Sequence, residues 1–243
     1  MRDNNFLKDV HPVKSRKARI SPAAKLFNGV KVVGFDFDDT LVNEQYSMKK
    51  RWERVLKEYS SVFPKIEDTF FKIYRQKGPS YGFHLDDTLG ALKINITHKD
   101  KILSRLMETH GDELVFDGAD YLLELLKNKG LKIGIITNGT QSRQEVRIKK
   151  TGIYKFMDFI LYGRGVKERK LNAENLEDIK KHFKRFNVDS FGEFLYVGND
   201  FALDIEGMLS MGAKACWVTN KKSNFNNDKL IVVKNLKELS KYL

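Results

Sequence analysis

Cysteine occurs once, at Cys216, and proline only four times in the 243 residues. A lone cysteine excludes an internal disulfide framework and a cysteine-built zinc site. Its place in the apolar run "KACWVT" (214–219) suits an inert core thiol, and a single thiol fits a reducing compartment. Long apolar runs are missing too. The most apolar stretches, such as "LKIGIIT" at 131–137, are strand-sized, and none has the 18 or so residues that would span a bilayer. The first residues hold no apolar stretch of the signal-peptide kind, so a cytoplasmic location with no membrane partner is expected. The five histidines form no close pair, which leaves no imidazole cluster for a metal.

Charge is lopsided, at +12 overall. Residues 1–29 form a basic extension, with seven Lys/Arg against Asp3 and Asp9. Such an arm suits a solubilising terminus better than a nucleic-acid site, since no DNA- or RNA-binding motif accompanies it.

From about residue 117 the chain alternates between helical and strand-like periods. Leucines at helical spacing in "ADYLLELLKNK" (119–129) stop at Gly130, and "LKIGIIT" follows as a buried strand. A polar helix at 141–151, a strand "MDFILY" (157–162) and an amphipathic helix at 173–185 come next. After them come "EFLYVG" (193–198), a short helix near 204–211, and the strand-like "KACWVT" and "LIVV" (230–233). Near-continuous apolar strands alternating with helices predict a parallel sheet covered on both faces, an open, doubly wound (Rossmann-like) α/β core over 30–43 and 115–243. Residues 44–114 differ: they hold nine aromatics and no strand run. Trp52, Val55, Leu56 and Tyr59 share one helical face, predicting a small helical insertion with its own core.

The first strand, 31–37, ends in "DFDDT", three aspartates within four residues (Asp36, Asp38, Asp39) followed by Thr40. Crowded carboxylates at the end of an apolar strand repel one another unless something compensates. Three other polar clusters also fall at strand ends: Thr137-Asn138-Gly139-Thr140, the basic "GRGVKERK" (163–170), and "GNDFALD" (198–204). Ligands bind beyond the carboxyl ends of strands in open α/β sheets, so the topology gathers all four at one edge. Carboxylates of the first and last clusters suit Mg²⁺. Hydroxyl, amide and lysine groups of the other two suit a phosphate. Together they point to phosphoryl transfer.

At these residues the chain resembles the haloacid dehalogenase (HAD) superfamily of hydrolases. "DFDDT" is similar to its first motif, Thr137 within "ITNGTQSRQEV" to its second, and the lysine and acidic clusters to its third and fourth. An insertion after the first motif is where that family carries a C1-type helical cap. The resemblance implies that Asp36 attacks phosphorus to form an aspartyl-phosphate and that Asp38 exchanges the proton. It implies that Thr137, Asn138, Gly139 and a lysine hold the phosphoryl group. It also implies a Mg²⁺ held by Asp36, the Asp38 carbonyl and residues among Asn199, Asp200 and Asp204. Lys170 aligns best as the lysine, with Lys167 as its rival. Asp39 fills the variable position and reads as a cap. Asp38 also favours a phosphatase over a dehalogenase, because an alkoxide leaving group needs a proton and a halide does not. A small soluble phosphate ester, such as a nucleotide or sugar phosphate, is the substrate class implied, and a phosphomutase shares every motif.

Overall fold

The computed structural model describes residues 26–78, 81–163, 173–222, 225 and 227–243. The basic extension before residue 26 and the stretch 164–172, with Lys167 and Lys170, lie outside the described residues. Six strands form one sheet: β1 (Val32–Phe35), β2 (Lys132–Thr137), β3 (Phe159–Tyr162), β4 (Phe194–Gly198), β5 (Lys214–Val218) and β6 (Leu230–Val233). Their order is β3-β2-β1-β4-β5-β6 and every pairing is parallel. This is the doubly wound α/β core that the apolar strands predict.

Strand side chains alternate between faces, and the two largest buried clusters along the sheet divide by that period. Val33, Phe35, Ile133, Ile135, Leu195 and Val197 join one cluster. Val32, Ile136, Phe194 and Tyr196 join the other. The first face is covered by α5 (Ala119–Asn128), α6 (Gln141–Lys150) and α9 (Leu236–Ser240), through Leu122, Leu126, Ile148 and Leu239. The second is covered by α7 (Ala173–Arg185), through Ile179 and Phe183, and by Met208 of α8 (Glu206–Ser210). The helix expected near 204–211 starts earlier, as a π-type turn over Phe201–Ile205, because the Asp200 carboxylate accepts from the Leu203 N–H and caps it.

Gly34 and Gly134 sit opposite each other on β1 and β2. A Cβ on Gly134 would lie 2.2 Å from the Phe159 ring, which packs flat on that position. Gly134→Ala is therefore expected to destabilise by about 1–3 kcal/mol through overpacking, read as a drop in the thermal midpoint.

Asp158, just before β3, ties β2 to its neighbour. Its Oδ2 accepts from the Ile133 N–H and from Lys127 Nζ, both at 2.9 Å. Partial burial works against the charged form, but the Ile133 and Lys127 donors outweigh it and hold the carboxyl below its usual range. A depressed carboxyl stabilises the fold above its unfolded pKa and loses that contribution as pH falls through the folded value. Wild type should thus unfold at higher temperature than Asp158→Asn near pH 7, and the gap should narrow as the pH falls through and below the usual carboxyl range; a gap constant with pH would contradict this.

Between β1 and α5 come α1 (Glu44–Tyr59), α2 (Ile66–Lys77), α3 (His84–Ala91) and α4 (His98–Glu108). They pack around their own core, in which Trp52 meets Phe70 at a ring separation of 4.5 Å. The predicted stripe is there: Val55 and Leu56 are fully buried, Trp52 nearly so, and Tyr59 packs at the edge. The chain leaves and re-enters the sheet domain side by side, with Asn43 N–H donating to the Leu114 carbonyl and Phe116 N–H to that of Leu41. Among the described residues no helix is long and apolar enough to cross a membrane.

Candidate active site

The sheet order reverses direction between β1 and β4, so the crevice lies beyond their carboxyl ends. Asp36 is the first residue past β1, and its N–H continues the ladder to the Val197 carbonyl at 2.9 Å. Phe37 turns into the core, where it is fully buried, and its carbonyl accepts from the N–H groups of Leu41 and Val42. Phe37 thus separates two carboxylates with different partners: Asp36 Oδ2 faces Thr40, and Asp38 meets two side chains of α6, Gln144 and Arg147. Asp36 is buried to 6% exposure. Asp39, at φ 55°, accepts from the Glu44 N–H at 3.1 Å and so caps the start of α1. Burial, then the Asp38 charge, push its carboxyl up against that hydrogen bond.

Buried Thr40 joins the first and fourth clusters. Its Oγ1 lies 3.3 Å from Asp36 Oδ2 and 3.2 Å from Asn199 Oδ1. Asn199 is itself fixed by its carbonyl, which accepts from Trp217 Nε1 at 3.0 Å. The two acidic residues of that cluster, Asp200 and Asp204, are engaged in the loop. Asp200 is exposed and caps Leu203, while buried Asp204 accepts from the Asp200 N–H at 2.9 Å. Gly198 permits this, since a Cβ there would meet the Asp204 carboxylate at 2.5 Å.

Among the described residues no group of three or more His, Cys, Asp or Glu side chains is arranged to hold a metal ion. The donors that do converge are hard oxygens, one carboxylate and one amide carbonyl, both facing a hydroxyl that carries a single hydrogen. That set fits Mg²⁺, which keeps several waters and takes few protein ligands.

Thr137 ends β2 with its side chain buried, and the loop after it is tightly placed. Gly163 N–H donates to the Thr137 carbonyl at 2.7 Å, and a Cβ on Gly163 would lie 2.2 Å from the Asn138 oxygen. Asn138 is exposed at the crevice.

Two residues of α6 that the sequence reading leaves out complete the site. Gln144 Nε2 donates to Asp38 Oδ2 at 2.7 Å and to Thr137 Oγ1 at 2.9 Å. Arg147 Nη1 donates to Asp38 Oδ1 at 2.7 Å and to Gln144 Oε1 at 2.8 Å. Its Nε and Nη2 grip Glu113 side-on, both at 2.9 Å, and Nη2 also donates to Glu44. All five guanidinium N–H groups thus have acceptors, which a lysine could not reproduce. Burial disfavours the Arg147 charge, but the Glu113 hydrogen bonds and the Asp38 and Glu44 carboxylates outweigh it and raise the pKa. Glu44 also meets Arg51 at 2.7 Å and Arg143 at 3.5 Å. Burial and the Asp38 charge still push Glu44 up to about 7, against the pull of the three arginines. The signal in the sequence was the spacing of Gln144, Arg147 and Ile148, which share the inward face of α6.

The family model for haloacid dehalogenase-like hydrolases matches residues 33–218. The glyceraldehyde 3-phosphate phosphatase of Pyrococcus abyssi is similar, 27% identical over 199 residues that cover 77% of this chain and 81% of its own. The pyrimidine 5'-nucleotidase YjjG of Escherichia coli is 32% identical over a shorter 101 residues, 42% of this chain and 43% of its own. In structure, the HAD-hydrolase YfnB of Bacillus subtilis, solved bound to magnesium, superposes with a TM-score of 0.61 at 19% identity, covering 87% of this chain and 97% of that one.

Proposed function

From a chain that belongs to the haloacid dehalogenase-like hydrolase family, we infer a phosphatase that hydrolyses a small phosphate monoester through an aspartyl-phosphate on Asp36. The observation that carries this reading is the Gln144 amide, which holds the Asp38 carboxylate beside the Thr137 hydroxyl at the same sheet edge as Asp36. A proton-transfer group next to a phosphate donor serves an ester whose leaving alkoxide must be protonated. The phosphatase name of the Pyrococcus abyssi relative supports the same class.

In the first step an Asp36 oxygen bonds to phosphorus as the ester P–O bond breaks, and Asp38 gives its proton to the departing alkoxide. In the second, water attacks the phosphorus of the aspartyl-phosphate, Asp38 takes the proton, and phosphate leaves with the Asp36 carboxylate restored. Thr137 and the amides of Asn138 and Gly139 hold the phosphoryl oxygens, and Lys170 would offset their charge. Asp36, Asn199 and the Asp38 carbonyl would hold Mg²⁺, with Asp200 and Asp204 shaping the loop behind Asn199. When bound, the cation neutralises the crowded carboxylates and the phosphoryl group. The helical insertion over 44–114 would act as a cap that shelters the crevice and selects metabolite-sized esters.

Phosphate release from a panel of nucleotides, sugar phosphates and an aryl phosphate tests this. Turnover that is lost on chelation and restored by Mg²⁺ is the expected result. A panel left untouched with Mg²⁺ present would overturn the reading.

A further inference from the structure

We propose that Gln144 is a positioning residue for both halves of the reaction centre, and that Arg147 fixes which way its amide points. The proposal rests on the phosphatase reading, in which Thr137 binds the phosphoryl group and Asp38 moves the proton.

The side-chain amide of Gln144 has one acceptor and one donor end, and the neighbours decide between them. Arg147 Nη1 lies 2.8 Å from one end of the amide, and a guanidinium can only donate. The carbonyl oxygen must therefore face Arg147, which turns the NH₂ toward Asp38 Oδ2 and Thr137 Oγ1. Two amide hydrogens meet two acceptors. Gln144 is only 2% exposed, so no solvent competes for this arrangement.

The consequence falls on the Thr137 hydroxyl. Its oxygen accepts from Gln144, so its own hydrogen cannot point back along that line. Among the described residues it donates to no acceptor, and in the phosphatase reading a bound phosphoryl oxygen receives it. A phosphoryl oxygen, which can only accept, is what such a hydroxyl recognises. At Asp38 both carboxylate oxygens are fixed, one by Gln144 and one by Arg147. One amide thus sets the hydrogen of the phosphate donor and the place of the proton carrier together. Gly139 makes room for it: a Cβ there would come within 2.4 Å of Gln144 side-chain atoms.

The experiment compares an alkyl phosphate, whose leaving group needs a proton, with p-nitrophenyl phosphate, whose leaving group does not. Gln144→Met keeps the length and removes both donors. Gln144→Glu keeps an acceptor for Arg147 but can only accept, so it turns the Thr137 hydrogen inward and sets a like charge against Asp38. Either variant is expected to lower kcat/KM on the alkyl ester roughly 10- to 100-fold, the scale of a misplaced reacting group, and the aryl ester distinctly less. In a Thr137→Val background, which has no hydroxyl to orient, Gln144→Met should cost the aryl ester almost nothing further. Equal losses on both esters, with losses that add fully to Thr137→Val, would overturn the positioning role while leaving the phosphatase reading intact. A wild-type protein that turns over neither ester would overturn both. Should Gln144→Met fail to fold, Gln144→Glu carries the same comparison.

Discussion

Asp36→Asn is expected to abolish turnover while leaving the fold intact. The substitution keeps the shape of the side chain, the Val197 ladder bond and an oxygen for Thr40. It replaces a carboxylate nucleophile with an amide that cannot form the aspartyl-phosphate. Loss of a nucleophile of this kind costs on the order of 10⁴-fold or more in kcat, about 5.5 kcal/mol of transition-state stabilisation. Stability should change far less. Asp36, Asp38 and Asp39 crowd one strand end, so removing one charge relieves part of their mutual repulsion, while Arg147 and Gln144 still hold Asp38. The thermal midpoint of Asp36→Asn without metal should stay close to that of wild type. Phosphate release and thermal unfolding on the same sample check both halves. An active Asp36→Asn, or one that is inactive because it is unfolded, would contradict the assignment.

Arg147→Met should produce the largest loss of stability. The arginine serves Asp38, Glu44, Glu113 and Gln144 at once, and the Glu113 side chain is only 2% exposed. Truncating one partner of a buried charge network strands the others, at a cost of about 3–5 kcal/mol. In a chain of this size that lowers the thermal midpoint by on the order of 10 °C. The damage should reach beyond the site, because Glu44 opens α1 and Glu113 lies where the chain returns from the helical insertion. Removing the stranded charge as well, in Arg147→Met with Glu113→Gln, should recover part of the loss. If Arg147→Met alone unfolds at the wild-type midpoint, the network does not carry this weight.

Much of the fold was legible because its signals are local. Apolar strands of four to six residues, separated by helices that end at Gly130 and Gly152, dictate a parallel sheet whatever the details of packing. The strand-end rule then brings Asp36, Thr137 and Asn199 to one edge, and Thr40 does link Asp36 to Asn199. The rest depended on contacts made across the chain. Gln144 and Arg147 sit on a helix that reads as polar and therefore solvated, yet its inward face buries both against carboxylates more than a hundred residues earlier. Polarity alone cannot separate a solvated face from a satisfied buried one. At Asp200 two roles share one sequence signal. Its side chain makes a local cap three residues on, an interaction that looks the same in sequence as an acidic ligand beside Asn199.

A phosphoryl group carried on Asp36 should be trapped in Asp38→Asn supplied with Mg²⁺ and p-nitrophenyl phosphate. That ester needs no proton to leave, so the first step should still run. The second needs Asp38 to take a proton from water and should stall. The expected result is a burst of nitrophenolate approaching one per chain, with one phosphoryl group on the peptide that contains Asp36. A phosphoryl group found on another residue, or release without a burst and with no protein-bound phosphate, would rule out Asp36 as its carrier.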